Sequence, residues 1–122
     1  MALTRILIVD DNAVVRTTLK SLIRHDSQFV VIGEADSGQA ALAAIKHADP
    51  DLVCLDVLMP GMDGIALLER IRKEHERIKV VMITGDATAD VVKKALALGA
   101  RGFVIKPFSS TKVLSAIRQA LL

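Results

Sequence analysis

The chain has 122 residues, 52% of them apolar and 25% charged, which supports one domain with a real core and excludes intrinsic disorder. Sixteen Lys and Arg against fourteen Asp and Glu leave a net charge of +2, too little to argue for nucleic-acid or membrane binding. Three Phe with no Trp or Tyr make the core aliphatic, and the single cysteine, Cys54, excludes an internal disulfide and a cysteine-based metal cluster.

Along the chain, short apolar runs alternate with helical patterns. Ile6-Leu7-Ile8-Val9 is too short for a globular helix and reads as a strand buried on both faces, ending at Asp10-Asp11. Asn12 then caps a helix carrying Val15, Leu19, Leu22 and Ile23 at helical spacing. Phe29-Val30-Val31-Ile32 is a second strand. Ser37 caps the next helix, with Leu42 and Ile45 on one face, and Asp49-Pro50 stops it. Leu52-Val53-Cys54-Leu55 is a third strand, closed by Asp56. A loop rich in Pro and Gly follows, and Asp63 caps a helix whose inner stripe includes Ile65, Leu68 and Ile71. Val80-Val81-Met82-Ile83 is the fourth strand, ending at Thr84. The helix after it shows Val91, Val92, Ala95 and Leu96, with Gly99 beyond its end. Gly102-Phe103-Val104-Ile105 is the fifth strand, followed by Lys106-Pro107. Ser109 or Ser110 starts the last helix, which carries Val113, Leu114, Ile117 and Leu121.

Five strand-helix units in succession predict an α/β fold: a parallel sheet with helices on both faces, joined by right-handed crossovers. A closed eight-unit barrel needs a longer chain. One domain is expected over residues 1–122. No apolar run approaches the roughly eighteen residues of a membrane span, and the first residues lack the pattern of a secretion signal. The expected compartment is the cytoplasm.

In a parallel sheet all C-terminal strand ends share one edge, where open α/β sheets bind their ligands. Asp10, Asp11, Asp56, Thr84 and Lys106 each follow a strand, so they converge on one cleft. Three carboxylates together repel one another unless compensated. Magnesium, a hard cation that takes oxygen ligands and keeps several waters, compensates them and suits a phosphoryl group. Lys106 offers a point charge and Thr84 a hydroxyl to phosphoryl oxygens. A carboxylate so flanked can act as a nucleophile toward phosphorus, and Asp56 is the best candidate. Acids also occur after strands simply because turns favour them. Asp36, Asp49 and Asp51 read that way, and His25, His47 and His75 read as solvated residues near helix ends.

Four separated motifs carry a resemblance: Val9-Asp10-Asp11-Asn12, the stretch from Leu55 through Asp56, Pro60 and Asp63 to Gly64, Thr84-Gly85, and Lys106-Pro107-Phe108. The chain resembles the receiver domains of bacterial two-component response regulators in their chemotaxis-regulator-like form, from Arg5 to about Leu121. The resemblance implies a flavodoxin-like (βα)5 three-layer sandwich with strand order 2-1-3-4-5. It implies that Asp56 is the phosphoacceptor, and that Asp10, Asp11, Asp56 and the main-chain carbonyl of Leu58 bind Mg2+, Asp11 more directly than Asp10. It makes Lys106 the partner of the phosphoryl group, or of Asp56 before phosphorylation. Thr84 becomes the switch hydroxyl and Phe103 the aromatic switch residue. The implied activity is autocatalysed phosphotransfer and slow autodephosphorylation rather than metabolic catalysis. The implied partners are a sensor histidine kinase or phosphotransfer protein, and downstream a protein partner, an output domain or a second copy of the chain. A stand-alone signalling domain and a receiver cut from a longer DNA-binding or catalytic regulator both fit.

Flavin carriers and phosphatases use similar folds. A flavin needs a phosphate-cradling loop after the first strand, where Asp10-Asp11 would repel a phosphate. A dedicated hydrolase would need a substrate-binding cap, and no insertion supplies one. From Ala87 onward there are six basic residues and one acid, Asp90. This fourth-helix to fifth-helix segment is therefore expected to dock an acidic protein surface; direct DNA binding by this domain is not expected, because no basic groove-reading helix stands out.

Overall fold

Five strands alternate with five helices in the computed structural model, which describes residues 2–122. They are β1 (Thr4–Val9), α1 (Ala13–Ile23), β2 (Phe29–Ala35), α2 (Gly38–Ala48), β3 (Leu52–Leu55), α3 (Gly64–Glu74), β4 (Lys79–Thr84), α4 (Ala89–Ala97), β5 (Gly102–Ile105) and α5 (Ser110–Ala120). The strands form one parallel sheet in the order β2-β1-β3-β4-β5. No helix among the described residues is long and apolar enough to cross a membrane.

The continuous apolar runs are explained by cover on both faces. Side chains alternate across a strand, so each run divides between two cores. Leu7, Val9, Val53, Leu55, Val80 and Met82 pack with Ala41, Ile45, Leu67, Leu68, Ile71 and Ala95 from α2, α3 and α4. Ile6, Ile8, Leu52, Cys54, Val81 and Ile83 pack with Leu19, Ile23, Val113 and Ile117 from α1 and α5. Fully burying one such side chain is worth about 1.5–3 kcal/mol. Burial pushes the Cys54 thiol up to about 12, so it acts as a small apolar side chain.

Each helix starts on a side-chain cap. Asn12, Ser37, Asp63, Thr88 and Ser109 accept hydrogen bonds from backbone N–H groups of their first turns. Thr88 is the cap that the sequence reading did not single out. Gly99 follows α4 at φ +101°, as its position beyond the helix end suggested.

Three details differ from expectation. β2 runs on to Ala35, and its register with β1 slips between Ile6 and Leu7, so Ile6 faces Val31 while Leu7 faces Gly33. As an edge strand it buries only Phe29 and Ala35. On α3, Leu67 is fully buried and Ile65 only partly, because the stripe facing the sheet is rotated by one position toward Leu67 and Leu68. On α4 only Ala95 is buried, and Leu96 is half exposed. That helix rests on the core through Ala95 and the partly buried Val91.

Candidate functional site

The parallel sheet carries its C-terminal strand ends to one edge, and the predicted polar residues meet there. Asp10 follows β1, and its backbone N–H still pairs with the Ala35 carbonyl at 3.1 Å. Asp56 follows β3, and its N–H pairs with the Val9 carbonyl at 3.0 Å. Both carboxylates are therefore mounted on adjacent inner strands, and both are buried, at 1% and 4% exposure. Asp11, one residue further out, is exposed. Carboxylate oxygens of Asp10, Asp11 and Asp56 lie within 4.8 Å of one another.

Lys106 comes from the far side of the sheet, beyond β5, and closes the cluster. Its Nζ donates to Asp10 Oδ2 at 2.8 Å and to Asp56 Oδ2 at 3.1 Å. The resemblance implied a pairing with Asp56; the structure adds a shorter one with Asp10. Asp10 Oδ1 accepts from the Asn12 N–H at 2.9 Å. Asp56 Oδ1 faces the Leu58 N–H at 3.4 Å, a marginal contact. The Leu58 side chain projects into solvent. Thr84, wholly buried at the end of β4, accepts from the Asp86 N–H at 3.2 Å and keeps its own hydroxyl hydrogen as a donor.

Phe103 lies in β5 opposite Met82, partly buried against the α2-α3-α4 core. It also lines a groove of about 420 Å3 with Ile105, Thr111, Lys112 and Ser115. Lys93, Lys94, Arg101, Lys112 and Arg118 are all exposed, as the charge count suggested. Arg118 is tied to Asp26 at 2.7 Å, however, which removes one free charge from that surface.

The residues set aside on sequence grounds do lie elsewhere. Asp36, Asp49 and Asp51 are exposed, Asp49 as the left-handed cap of α2 and Asp51 accepting from the Arg5 N–H at 2.8 Å. His25 and His47 are exposed, and His75 caps α3. Sequence reasoning missed two contributors. Gly64 lets the first turn of α3 lie against the Asp56 backbone, and Arg16 hydrogen-bonds the Asp10 carbonyl. A glycine directly after a helix cap was the available signal for the first; a charged residue on a helix gave none for the second.

The electrostatics of the pair are unequal. Burial raises the Asp10 carboxyl above its ordinary value; repulsion from Asp56 adds to this, while Lys106 and the Asn12 N–H oppose it. For Lys106, burial works against the charge, yet the hydrogen bonds and charges of Asp10 and Asp56 prevail and raise its pKa. The signs then follow from linkage. The stabilisation from Lys106 is complete below its unfolded-state pKa and is lost as pH rises through the folded value. Ionised Asp10 costs stability at neutral pH, and that cost is relieved as pH falls through its raised folded value. Asp10→Asn should therefore raise the thermal midpoint at pH 7. The gain should shrink as the pH is lowered through the titration of Asp10 toward about 4, the ordinary Asp value. Calorimetric melting across that range checks it; an Asn variant less stable at pH 7 would mean that the ion pair outweighs burial.

Chemically, the cluster offers hard oxygen ligands, with neither imidazole nor thiolate among them, and the Lys106 ammonium beside them. That set fits a hard divalent cation and an anionic oxygen ligand.

Comparison with known proteins agrees with this geometry. The model of the response regulator receiver domain family matches residues 6–118. The chain is 38% identical over 117 residues to the chemotaxis protein CheY of Bacillus subtilis (strain 168), covering 96% of this chain and 97% of that protein. It is 38% identical over 123 residues to a protein-glutamate methylesterase/protein-glutamine glutaminase of Trichodesmium erythraeum (strain IMS101), covering 97% of this chain and 35% of that much longer protein. Among solved structures, it superposes on a chain of the CheX-CheY-BeF3-Mg+2 complex from Borrelia burgdorferi with a TM-score of 0.90 and 32% identity, over 97% of this chain and 89% of that one. The chain thus belongs to the CheY-like response regulator receiver domains of bacterial two-component signalling.

Proposed function

We propose that this chain is a phosphorylation-dependent switch in which Asp56 takes a phosphoryl group from a phosphohistidine donor. The observation that carries this is the Lys106 ammonium bridging Asp10 and Asp56 inside a three-carboxylate cluster at the sheet edge. The solved complex containing BeF3 and magnesium supports it by family relation.

Asp10, Asp11 and Asp56, together with the Leu58 carbonyl, are the residues that would hold Mg2+, with Asp11 the more direct ligand of the acidic pair. When bound, the ion supplies positive charge to the oxygens of the transferring group. An Asp56 carboxylate oxygen attacks phosphorus, a P–O bond forms, and the P–N bond to the donor imidazole breaks. Lys106 leaves the Asp56 carboxylate and pairs with a phosphoryl oxygen, keeping its charge throughout. Thr84, placed at the end of the adjacent strand β4, donates its hydroxyl hydrogen to another. In slow autodephosphorylation a water oxygen attacks phosphorus, the P–O bond to Asp56 breaks, and inorganic phosphate leaves the restored carboxylate.

The new charge and acceptor oxygens favour a conformation in which Thr84 is drawn toward β3 and Phe103 turns inward. Phe103 needs no buried hydrogen-bond partner in that state. The groove beside it changes shape, and the face made by α4, β5 and α5 presents the signal. Donors are a sensor histidine kinase or a phosphotransfer protein in the cytoplasm. Recipients are a downstream protein, a joined output domain or a second copy of the chain.

Beryllium fluoride and magnesium added together should shift the backbone amide NMR signals of Asp56, Thr84 and Phe103. Magnesium alone should shift those around its ligands Asp10, Asp11, Asp56 and Leu58 and leave Phe103 in place. Amides of Thr84 and Phe103 that stay unmoved with both additives would reject the coupling of the cluster to that face.

A further inference from the structure

Resting on the reading of the acidic cluster as a magnesium and phosphoryl site, we propose that Arg16 is a positioning residue for it. Clamped by Glu34, its guanidinium fixes the Asp10–Asp11 peptide and so holds the Asp11 carboxylate toward the cluster.

Asp10 is restrained at every polar atom. Its N–H donates to the Ala35 carbonyl, its two carboxylate oxygens accept from the Asn12 N–H and Lys106, and its carbonyl oxygen accepts from Arg16 Nη1 at 2.7 Å. Asp11 is different. It is exposed, and no hydrogen bond to its carboxylate is found among the described residues. Its place in the cluster therefore depends on its backbone. The peptide unit is planar, so holding the Asp10 carbonyl oxygen also orients the N–H and Cα of Asp11.

The clamp reaches across two elements. Arg16 on α1 also donates from Nε to Glu34 Oε1 on β2 at 2.7 Å, and the other Glu34 oxygen holds Lys20. A guanidinium presents its donors in a rigid planar fork, so one side chain serves both acceptors in fixed geometry. Arg16 is only 16% exposed, which shields the contact from solvent. The hydrogen bond from Lys20, then that from Arg16, keeps the Glu34 carboxyl below its ordinary range and the clamp charged at neutral pH.

The bland alternative is a surface ion pair joining α1 to β2, worth about 0–1 kcal/mol. The two readings differ in sign at the metal. Deleting a cation near a dication site raises affinity or leaves it unchanged; losing the clamp lowers it.

The test is calorimetric titration of the full chain with magnesium chloride, with amide relaxation measured at Asp11. Arg16→Met should weaken magnesium binding about tenfold, the usual scale for loss of an outer-shell partner. Arg16→Lys keeps the charge but reaches only one of the two acceptors, and should weaken it similarly. Both should increase the mobility of the Asp11 amide. Arg70→Met, which breaks the remote Arg70–Glu74 pair, should change neither. If Arg16→Met does not fold, Arg16→Lys decides. Binding by both Arg16 variants as tight as that of the parent, or full rescue by lysine, would overturn the clamp alone. A parent chain that binds no magnesium would overturn the reading of the cluster and the clamp together.

Discussion

Gly64→Ala should destabilise the protein by about 3 kcal/mol or more, among the largest effects of any single methyl group in the chain. A Cβ at Gly64 would stand 1.9 Å from the Asp56 carbonyl oxygen and 2.7 Å from two further backbone atoms of Asp56 and Val57. These are backbone atoms, so no side chain can swing away. The Gly64 N–H also donates to the Val57 carbonyl at 2.8 Å, which holds the start of α3 against that same backbone. The need is for space, since Gly64 has no left-handed backbone angle. The added methyl must push α3 away from the end of β3, and Asp56 lies at that point. The variant should therefore lose phosphoryl acceptance as well as stability. Gly85→Ala is the control: nothing lies within 4 Å of its Cβ position, and its backbone angle is ordinary. Its cost should stay within about 0.5 kcal/mol. Urea denaturation of both variants checks the contrast, and equal midpoints would contradict it.

Asp56→Asn should abolish labelling by a small acyl phosphate, a fall of roughly 1,000-fold or more, as expected when a nucleophile is removed. Asparagine keeps the shape and the carbonyl oxygen that can accept from Lys106, but it has no anionic oxygen to attack phosphorus. The fold should survive. A carboxylate that is 4% exposed is exchanged for a neutral group of the same size, and Asp10 still balances Lys106. Thermal melting separates loss of chemistry from loss of fold. Undiminished labelling of a folded Asn variant would place the acceptor elsewhere.

Most of the architecture was legible because it follows from local rules. The apolar runs at Ile6, Leu52 and Val80 could only be strands covered on both faces, and the two cores divide those residues by the period of two. The polar residues of the site were legible for a related reason: each breaks an apolar run at the strand end, and a parallel sheet gathers those ends. What was not legible depends on contacts between distant segments. The slip of β2 against β1 leaves no trace in a run of Phe, Val and Ile. The closer approach of Lys106 to Asp10 than to Asp56 depends on where β5 ends relative to β1, with two strands between them. Arg16 and Glu34 each look like an ordinary surface charge, and only the fold shows one guanidinium joining them to the Asp10 carbonyl. Gly64 follows the Asp63 cap, but the backbone that it touches belongs to the preceding strand end.

The most direct measurement is intact-protein mass spectrometry of the parent chain after treatment with a small acyl phosphate, followed by mapping of the modified residue. With magnesium present, the protein should gain one phosphoryl group, and that group should map to Asp56. With a chelator in place of magnesium, the gain should vanish. A phosphoryl group on any other residue, or labelling that persists undiminished in the chelator, would contradict a metal-dependent phosphoacceptor at the end of β3.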